Sequence, residues 1–293
     1  MERTVGDVLR EWRQRRHFSQ LDLANEAGVS SRHLSFLETG RSRPSREILL
    51  RLADHLDVPQ RERNALLLAG GFAPVFPERR LDDPALALAR EAVDLILTGH
   101  EPYPALAIDR HWTLMAANRS IPLLLAGVAD HLLRPPVNVM RLCFHPEGIA
   151  PRIVNGATLR SHLVVRLHHE IAISGDPVLR DLLAEICGYP LADEASAAGQ
   201  ATPGVAVPFV IRTDAGVLSF ISTTTVFGSA VDVTLNELAI ESFFPADAET
   251  RDALRRLEAA GWTNVPTSRG GASATVLGGK SCVVDRNTLP SRK

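Results

Sequence analysis

The sequence predicts an all-α helix-turn-helix bundle followed by an α+β domain in which helices cover an antiparallel sheet. Three observations carry that reading. Start and stop signals divide residues 4 to 70 into five short helical segments. Pro74, Pro77, Pro84 and Pro102 surround a single helical stretch between 72 and 102, and residues 205 to 244 are rich in Val, Ile, Thr and Phe. A chain of 293 residues exceeds one small core, so the length favours two domains. The boundaries are then 1–71 for the bundle, 72–102 for a connector and 103–262 for the second domain. A Gly, Ser and Thr-rich tail at 263–293 is expected to be mobile.

Each helix of the bundle has its own punctuation. Thr4 and Asp7 form a Thr-x-x-Asp start for the first, whose apolar stripe is Val8, Leu9 and Trp12. Ser19 with Asp22 repeats the device for a second, which stops at Gly28. Ser30 caps a third, ended by Gly40. Pro44 and Ser45 open a fourth through Leu56, and Pro59 starts a fifth that closes at Gly70 and Gly71.

In the second domain, alternation from Pro104 to Asn118 about a turn at Asp109 to His111 reads as a hairpin leading into a helix capped by Asn118. Helical patterns follow at roughly 119–132, 138–144, 156–174 and 177–187. Strands return at Val205 to Arg212, Val217 to Phe227 and Leu235 to Phe244, with Asp214-Ala215-Gly216 as a tight turn, before a last helix at 248–260.

Composition narrows the function classes. With 45% hydrophobic and 23% charged residues the chain is an ordinary globular one rather than a disordered one. Its net charge of -2 identifies no nucleic-acid binder, although residues 1 to 65 are mildly basic, with 12 Arg against 10 acidic residues. Cys143, Cys187 and Cys282 are odd in number and far apart, which offers neither a disulfide framework nor a metal knuckle. No run of 18 apolar residues occurs and the amino terminus is charged, so a cytoplasmic protein with no membrane partner is expected.

A helix-turn-helix needs a small residue where its helices cross, glycine in the turn and apolar residues holding the second helix down. Ala24, Gly28 and the set Leu23, Ala27, Val29, Leu34 and Leu37 meet these demands, leaving Ser30, Ser31, Arg32, His33 and Phe36 on the opposite face. The stretch from Val5 to Gly71 resembles the XRE family, through Phe18-Ser19-Gln20, Leu23-Ala24, Ala27-Gly28-Val29-Ser30 and Leu37-Glu38-Thr39-Gly40-Arg41-Ser42-Arg43-Pro44-Ser45. The resemblance implies that Gln20 contacts phosphate, that Ser31, Arg32, His33 and Phe36 face base edges, and that Arg41 and Arg43 contact the backbone of a double-stranded operator. It also implies an Arg13 to Glu38 salt bridge. Half-sites about one helical turn apart would require a homodimer.

The second domain shows no convincing catalytic set, so no enzyme, cofactor or metal is expected. His162, His168 and His169 share a helix without a ligand spacing, and His145-Pro146-Glu147 reads as a turn. Residues 103 to 260 resemble the ligand-binding domain of MmyB-like transcription regulators. The matching segments are Tyr103-Pro104-Ala105-Leu106 with Trp112 and Ala117-Asn118-Arg119, Asn138-Val139-Met140-Arg141-Leu142 with Phe144-His145-Pro146, Leu218-Ser219-Phe220 with Thr223-Thr224-Thr225, and Glu237-Leu238 with Phe244-Pro245-Ala246-Asp247. The likeness implies a PAS-like fold and an apolar pocket for a small, fatty-acid-like ligand. Trp112, Leu114, Leu142, Phe144, Phe209, Phe220 and Phe227 could line such a pocket or simply pack as core, and Arg141 or His162 could meet a carboxylate. A protein-interaction module and a small-substrate enzyme remain as alternatives for this domain.

Overall fold

The computed structural model describes residues 4–190 and 206–261. The expected tail at 263–293 and the expected strand start at Val205 lie outside the described residues. Five short helices open the chain: α1 (Val5–Arg15), α2 (Gln20–Glu26), α3 (Ser31–Glu38), α4 (Arg46–His55) and α5 (Gln60–Ala69). After a 3-10 turn at Pro84–Leu86 come α6 (Ala87–Gly99), strands β1 (Ala105–Ile108) and β2 (Leu114–Ala117), and short helices α7 (Ile121–Leu124) and α8 (Val139–Phe144). Two long helices, α9 (Gly156–Ser174) and α10 (Pro177–Gly188), precede β3 (Phe209–Thr213) and β4 (Gly216–Val226). The last elements are α11 (Val233–Asn236), β5 (Ala239–Pro245) and α12 (Ala248–Ala259).

The chain groups into two compact units whose segments interleave in sequence. Among the described residues the first draws on 4–92, 155–190, 206–207 and 225–239, the second on 93–154, 208–224 and 240–261.

In the first unit the helices begin where the sequence supplies a capping oxygen. The hydroxyls of Thr4, Ser19, Ser30 and Ser45 accept from the backbone N–H groups of Asp7, Asp22, His33 and Ile48, at 3.2, 3.1, 3.1 and 3.4 Å. Each cap satisfies a donor that no helical turn can reach. Leu9, Trp12, Leu23, Leu34, Leu37 and Leu52 form the shared core of the five helices. Gly6 sets how closely α1 approaches α3, because a Cβ there would stand 2.6 Å from the carbonyl oxygen of Leu37. The later helices α9 and α10 pack on each other and meet the end of α1, where Arg16 donates to the carbonyls of Ile173 (3.3 Å) and Leu56 (2.9 Å).

The second unit is built on a five-stranded antiparallel sheet in the order β2-β1-β5-β4-β3. Leu106 pairs with Ala117 and Phe209 with Phe220. The rings of Phe209, Phe220 and Phe243 gather on one face with centroids 5.9 to 6.3 Å apart. The hydroxyl of Thr250 on α12 accepts from the N–H of Ser219 on β4 at 2.9 Å, which anchors that helix to the sheet.

Three local expectations need correction. Asn118 does not cap a helix; it is a buried hub whose amide donates to the carbonyls of Leu97 and Tyr103 and whose oxygen accepts from the N–H groups of Ala105 and Ser120. The helix expected at 119–132 is two pieces, α7 and a 3-10 turn at Asp130–Leu133, separated by Gly127 at φ +76°. The strand expected from Leu235 starts at Ala239, because Asp232 accepts from the N–H of Thr234 and nucleates α11 first.

Candidate nucleic-acid interface and ligand cleft

The turn between α2 and α3 is made by Gly28 at φ +63°, a conformation that costs a residue with a Cβ about 1 kcal/mol or more. Val29 then donates back to the carbonyl of Ala24 at 2.9 Å, and Ser30 starts the new helix. Leu34 and Leu37 are buried, which fixes the rotation of α3. The outward side of that rotation holds Ser30, Ser31 and Arg32, all exposed, with His33 and Phe36 half-buried at its margins. Arg41 and Arg43 are exposed in the loop that follows.

Two features of this face were not readable from the spacing. The Phe36 ring stands between two guanidinium groups, with the Cζ of Arg32 5.3 Å and that of Arg41 6.0 Å from its centroid. Such cation–π contacts limit where each arginine can point. Gln20 is turned inward, its Nε2 donating to Glu38 at 2.8 Å.

Behind α3 lies the ion pair that the XRE resemblance implies. Arg13 donates from Nε to Oε1 of Glu38 at 2.6 Å and from Nη2 to Oε2 at 2.9 Å, and from Nη1 to the carbonyl of Phe18 at 2.9 Å. Arg13 and Glu38 are only 9% and 4% exposed, so this is an internal brace and not a solvated surface pair. Burial pushes the Glu38 carboxyl up, but hydrogen bonds from Arg13 and Gln20, with the charges of Arg13 and Arg10, outweigh it and hold the group below the usual carboxylate range. The bond from Glu38 in turn raises Arg13 above the ordinary arginine value.

A second ionic group in the same unit joins α5 to the connector and to the segment between β4 and β5. Arg61 donates to both carboxylate oxygens of Glu237, at 2.9 Å each, and also pairs with Glu78. Arg79 bonds the buried carboxylate of Asp232 at 3.0 Å, and Val233 donates to the carbonyl of Pro77 at 2.9 Å.

The expected ligand residues divide by environment. In the second unit Trp112, Leu142, Phe144, Phe209 and Phe220 are buried, Leu114 is half-buried on β2, and Arg141 is exposed on α8. His162 is exposed on α9 and belongs to the first unit. A cleft of about 780 Å³ is present in the second unit and is lined by other residues. Its apolar floor includes Leu123, Ala253 and Leu257, and its rim carries Arg152, Arg212, Asp214 and Arg256. Those charged groups come from three separate segments, so no spacing in the sequence marks them as one site.

Two family descriptions match separate stretches of the chain. The family description "MmyB-like transcription regulator ligand binding domain" matches residues 89–257, and a helix-turn-helix domain matches residues 4–66. A protein of Methanoculleus marisnigri, whose name marks it as an inferred HTH-type transcriptional regulatory protein, is 33% identical over 123 residues. That stretch is 40% of this chain and 39% of the relative, so the match spans well under half of either protein. Among solved structures, an RNA-binding light-oxygen-voltage receptor aligns over 88% of this chain and 64% of its own at 15% identity. Its TM-score of 0.24 supports no argument.

Proposed function

Because the chain belongs to the family defined by the MmyB-like transcription regulator ligand binding domain, we propose that it is a sequence-specific DNA-binding transcription regulator whose second unit senses a small molecule. The outward face of α3 carries the reading: a short helix pinned by Leu34 and Leu37 presents Ser31, Arg32 and His33 where a major groove could receive them. In this reading Arg32 reads a base edge, Phe36 supports it and meets a thymine methyl, and Arg41 and Arg43 hold phosphates. Gln20 adds a phosphate contact at the start of α2 through the amide hydrogen that Glu38 does not take, and Ser30 lies at the groove edge. The protein works as a homodimer in the cytoplasm, since operators of this motif are paired half-sites. Among the described residues no helix is long and apolar enough to cross a membrane.

Gel shifts with cognate and scrambled duplexes across salt test the DNA-binding part. Arg32→Ala is expected to relax specificity by about 1 to 3 kcal/mol at one base pair, and Arg41→Ala to weaken all sequences alike. Identical behaviour of the two variants, or a single copy per operator by light scattering, contradicts the assignment.

For the second unit the proposed ligand is a small molecule with an apolar, acyl-like body. The mixed lining of the cleft supports an amphipathic occupant. A ligand changes DNA affinity only by preferring one conformation. The segment 225–239 is a suitable route, being continuous with β4 and β5 at its ends and tied to α5 through Glu237 and Arg61. Native mass spectrometry of purified protein before and after denaturation is expected to reveal a retained small molecule. No released mass, together with no thermal shift on adding fatty acids, removes the acyl-ligand reading.

A further inference from the structure

The cleft of the second unit has a charge pattern that an apolar ligand does not use. Arg152, Arg212 and Arg256 share its lining with one carboxylate, Asp214, which leaves two positive charges uncompensated at the rim. Arg152 is half-buried and donates to the carbonyl of Leu124. Burial lowers its pKa from the ordinary arginine value, and the charge of Asp214 acts the other way. Asp214 is thus near enough to act on Arg152, although burial outweighs its charge. Arg212 sits at the end of β3 and Arg256 in the last turn of α12, both exposed toward solvent. Neither forms an ion pair with a carboxylate among the described residues.

The arrangement is built and not scattered. The β3–β4 turn is held by the Thr213 hydroxyl, which donates to the carbonyl of Gly216 at 2.9 Å and accepts from the N–H of Ala215 at 3.2 Å. That holds the backbone on which Arg212, in the strand entering the turn, and Asp214, in the turn itself, flank Thr213. α12 is fixed to β4 through Thr250, so Arg256 is presented from a supported helix. Leu123, Ala126, Ala253 and Leu257 supply an apolar floor with no aromatic ring to stack a base.

We propose that this cleft binds a small dianion on an apolar body, a phosphate monoester or a dicarboxylate, with Arg212 and Arg256 pairing its two charges. The proposal rests on the reading that the second unit is a small-molecule sensor and names the class of molecule sensed. A monocarboxylate would leave one guanidinium uncompensated. Two charge-assisted pairs favour the dianion, and the small side chains of the floor accept its body.

Isothermal titration of the full chain with phenyl phosphate, and with benzoate as the singly charged comparison, tests it. Phenyl phosphate is expected to bind more tightly than benzoate and to weaken as salt rises. Arg212→Gln and Arg256→Gln should each lower its affinity about tenfold. Asp214→Asn, which the turn tolerates, should raise it by removing a repelling charge. Arg255→Gln, one residue away and exposed, should leave it unchanged. Equal affinity for the two probes, equal losses at Arg255 and Arg256, or no gain at Asp214→Asn overturns the assignment. If a native small molecule is retained and its retention ignores Arg212 and Arg256, the dianion site falls while the sensor reading stands. If nothing is retained and neither probe binds, both fall.

Discussion

Glu38→Ala is expected to destabilise the helical bundle by about 3 to 5 kcal/mol, because it leaves the Arg13 guanidinium buried without its counter-charge. Among the described residues Arg13 has only the carbonyl of Phe18 as a further hydrogen-bond partner, and Gln20 loses its acceptor as well. Arg13→Ala should cost less, because Glu38 keeps the Gln20 amide and the Arg10 charge at 3.6 Å, while Arg13→Met with Glu38→Leu should recover most of the Glu38→Ala loss. Hydrogen-exchange mass spectrometry on the full chain reads the bundle separately from the second unit. A loss below about 1 kcal/mol for Glu38→Ala would place the pair among ordinary surface bridges.

The same pair makes the bundle sensitive to acid. Glu38 titrates lower in the folded state than in the unfolded chain, so its contribution is complete above the unfolded carboxylate value of about 4.3. It fades as the pH falls from there through the lower folded value. Protection of α1 and α3 should therefore drop over that acidic window in the wild type and show a weaker dependence in Glu38→Gln. DNA affinity in Glu38→Gln should also fall, since α3 loses the brace that sets its rotation.

Phe220→Ala is the second large effect, with an expected cost of about 3 to 5 kcal/mol confined to the second unit. The Phe220 ring is fully buried and packs with Phe209 and Phe243, so its removal opens a void that the three-ring cluster cannot close. Exchange protection of β3, β4 and β5 should fall, with α3 and its gel-shift behaviour unchanged when the bundle remains folded. A wild-type stability for Phe220→Ala, with loss of a retained small molecule, would instead assign the ring to a ligand wall.

The bundle was legible because its determinants are local. Thr4, Ser19, Ser30 and Ser45 cap within three residues of themselves, and Gly28, Gly40 and Gly71 take positive φ where the chain must turn. The β3–β4 hairpin was legible for the same reason, since Asp214-Ala215-Gly216 closes it within its own segment. Phe243 was harder to single out. It shares a strand with Ile240, Phe244 and a buried Glu241, and only the position of β5 between β1 and β4 places its ring with Phe209 and Phe220.

Asn118 shows where local reasoning stops. Its type and position suit a helix cap, yet four hydrogen bonds from different segments claim its amide, and a polar side chain that is buried must satisfy all of its groups. The cleft is the stronger case. Arg152, Arg212 and Arg256 are ordinary arginines in the sequence, and they reach one rim because the bridge between Ile153 and Ile211 sets Arg152 beside β3 and Thr250 ties α12 to β4.

The sequence by itself determined the five helices, the turn at Gly28, the exposed side of α3 and the class of the second domain, because caps, glycines and apolar periodicity act over a few residues. Only the tertiary structure decided that Gln20 turns inward to Glu38, that Phe36 stands between two arginines, and that three guanidinium groups share one cleft. Charge and packing interactions of that kind depend on distance in space, and separation along the chain carries no record of it.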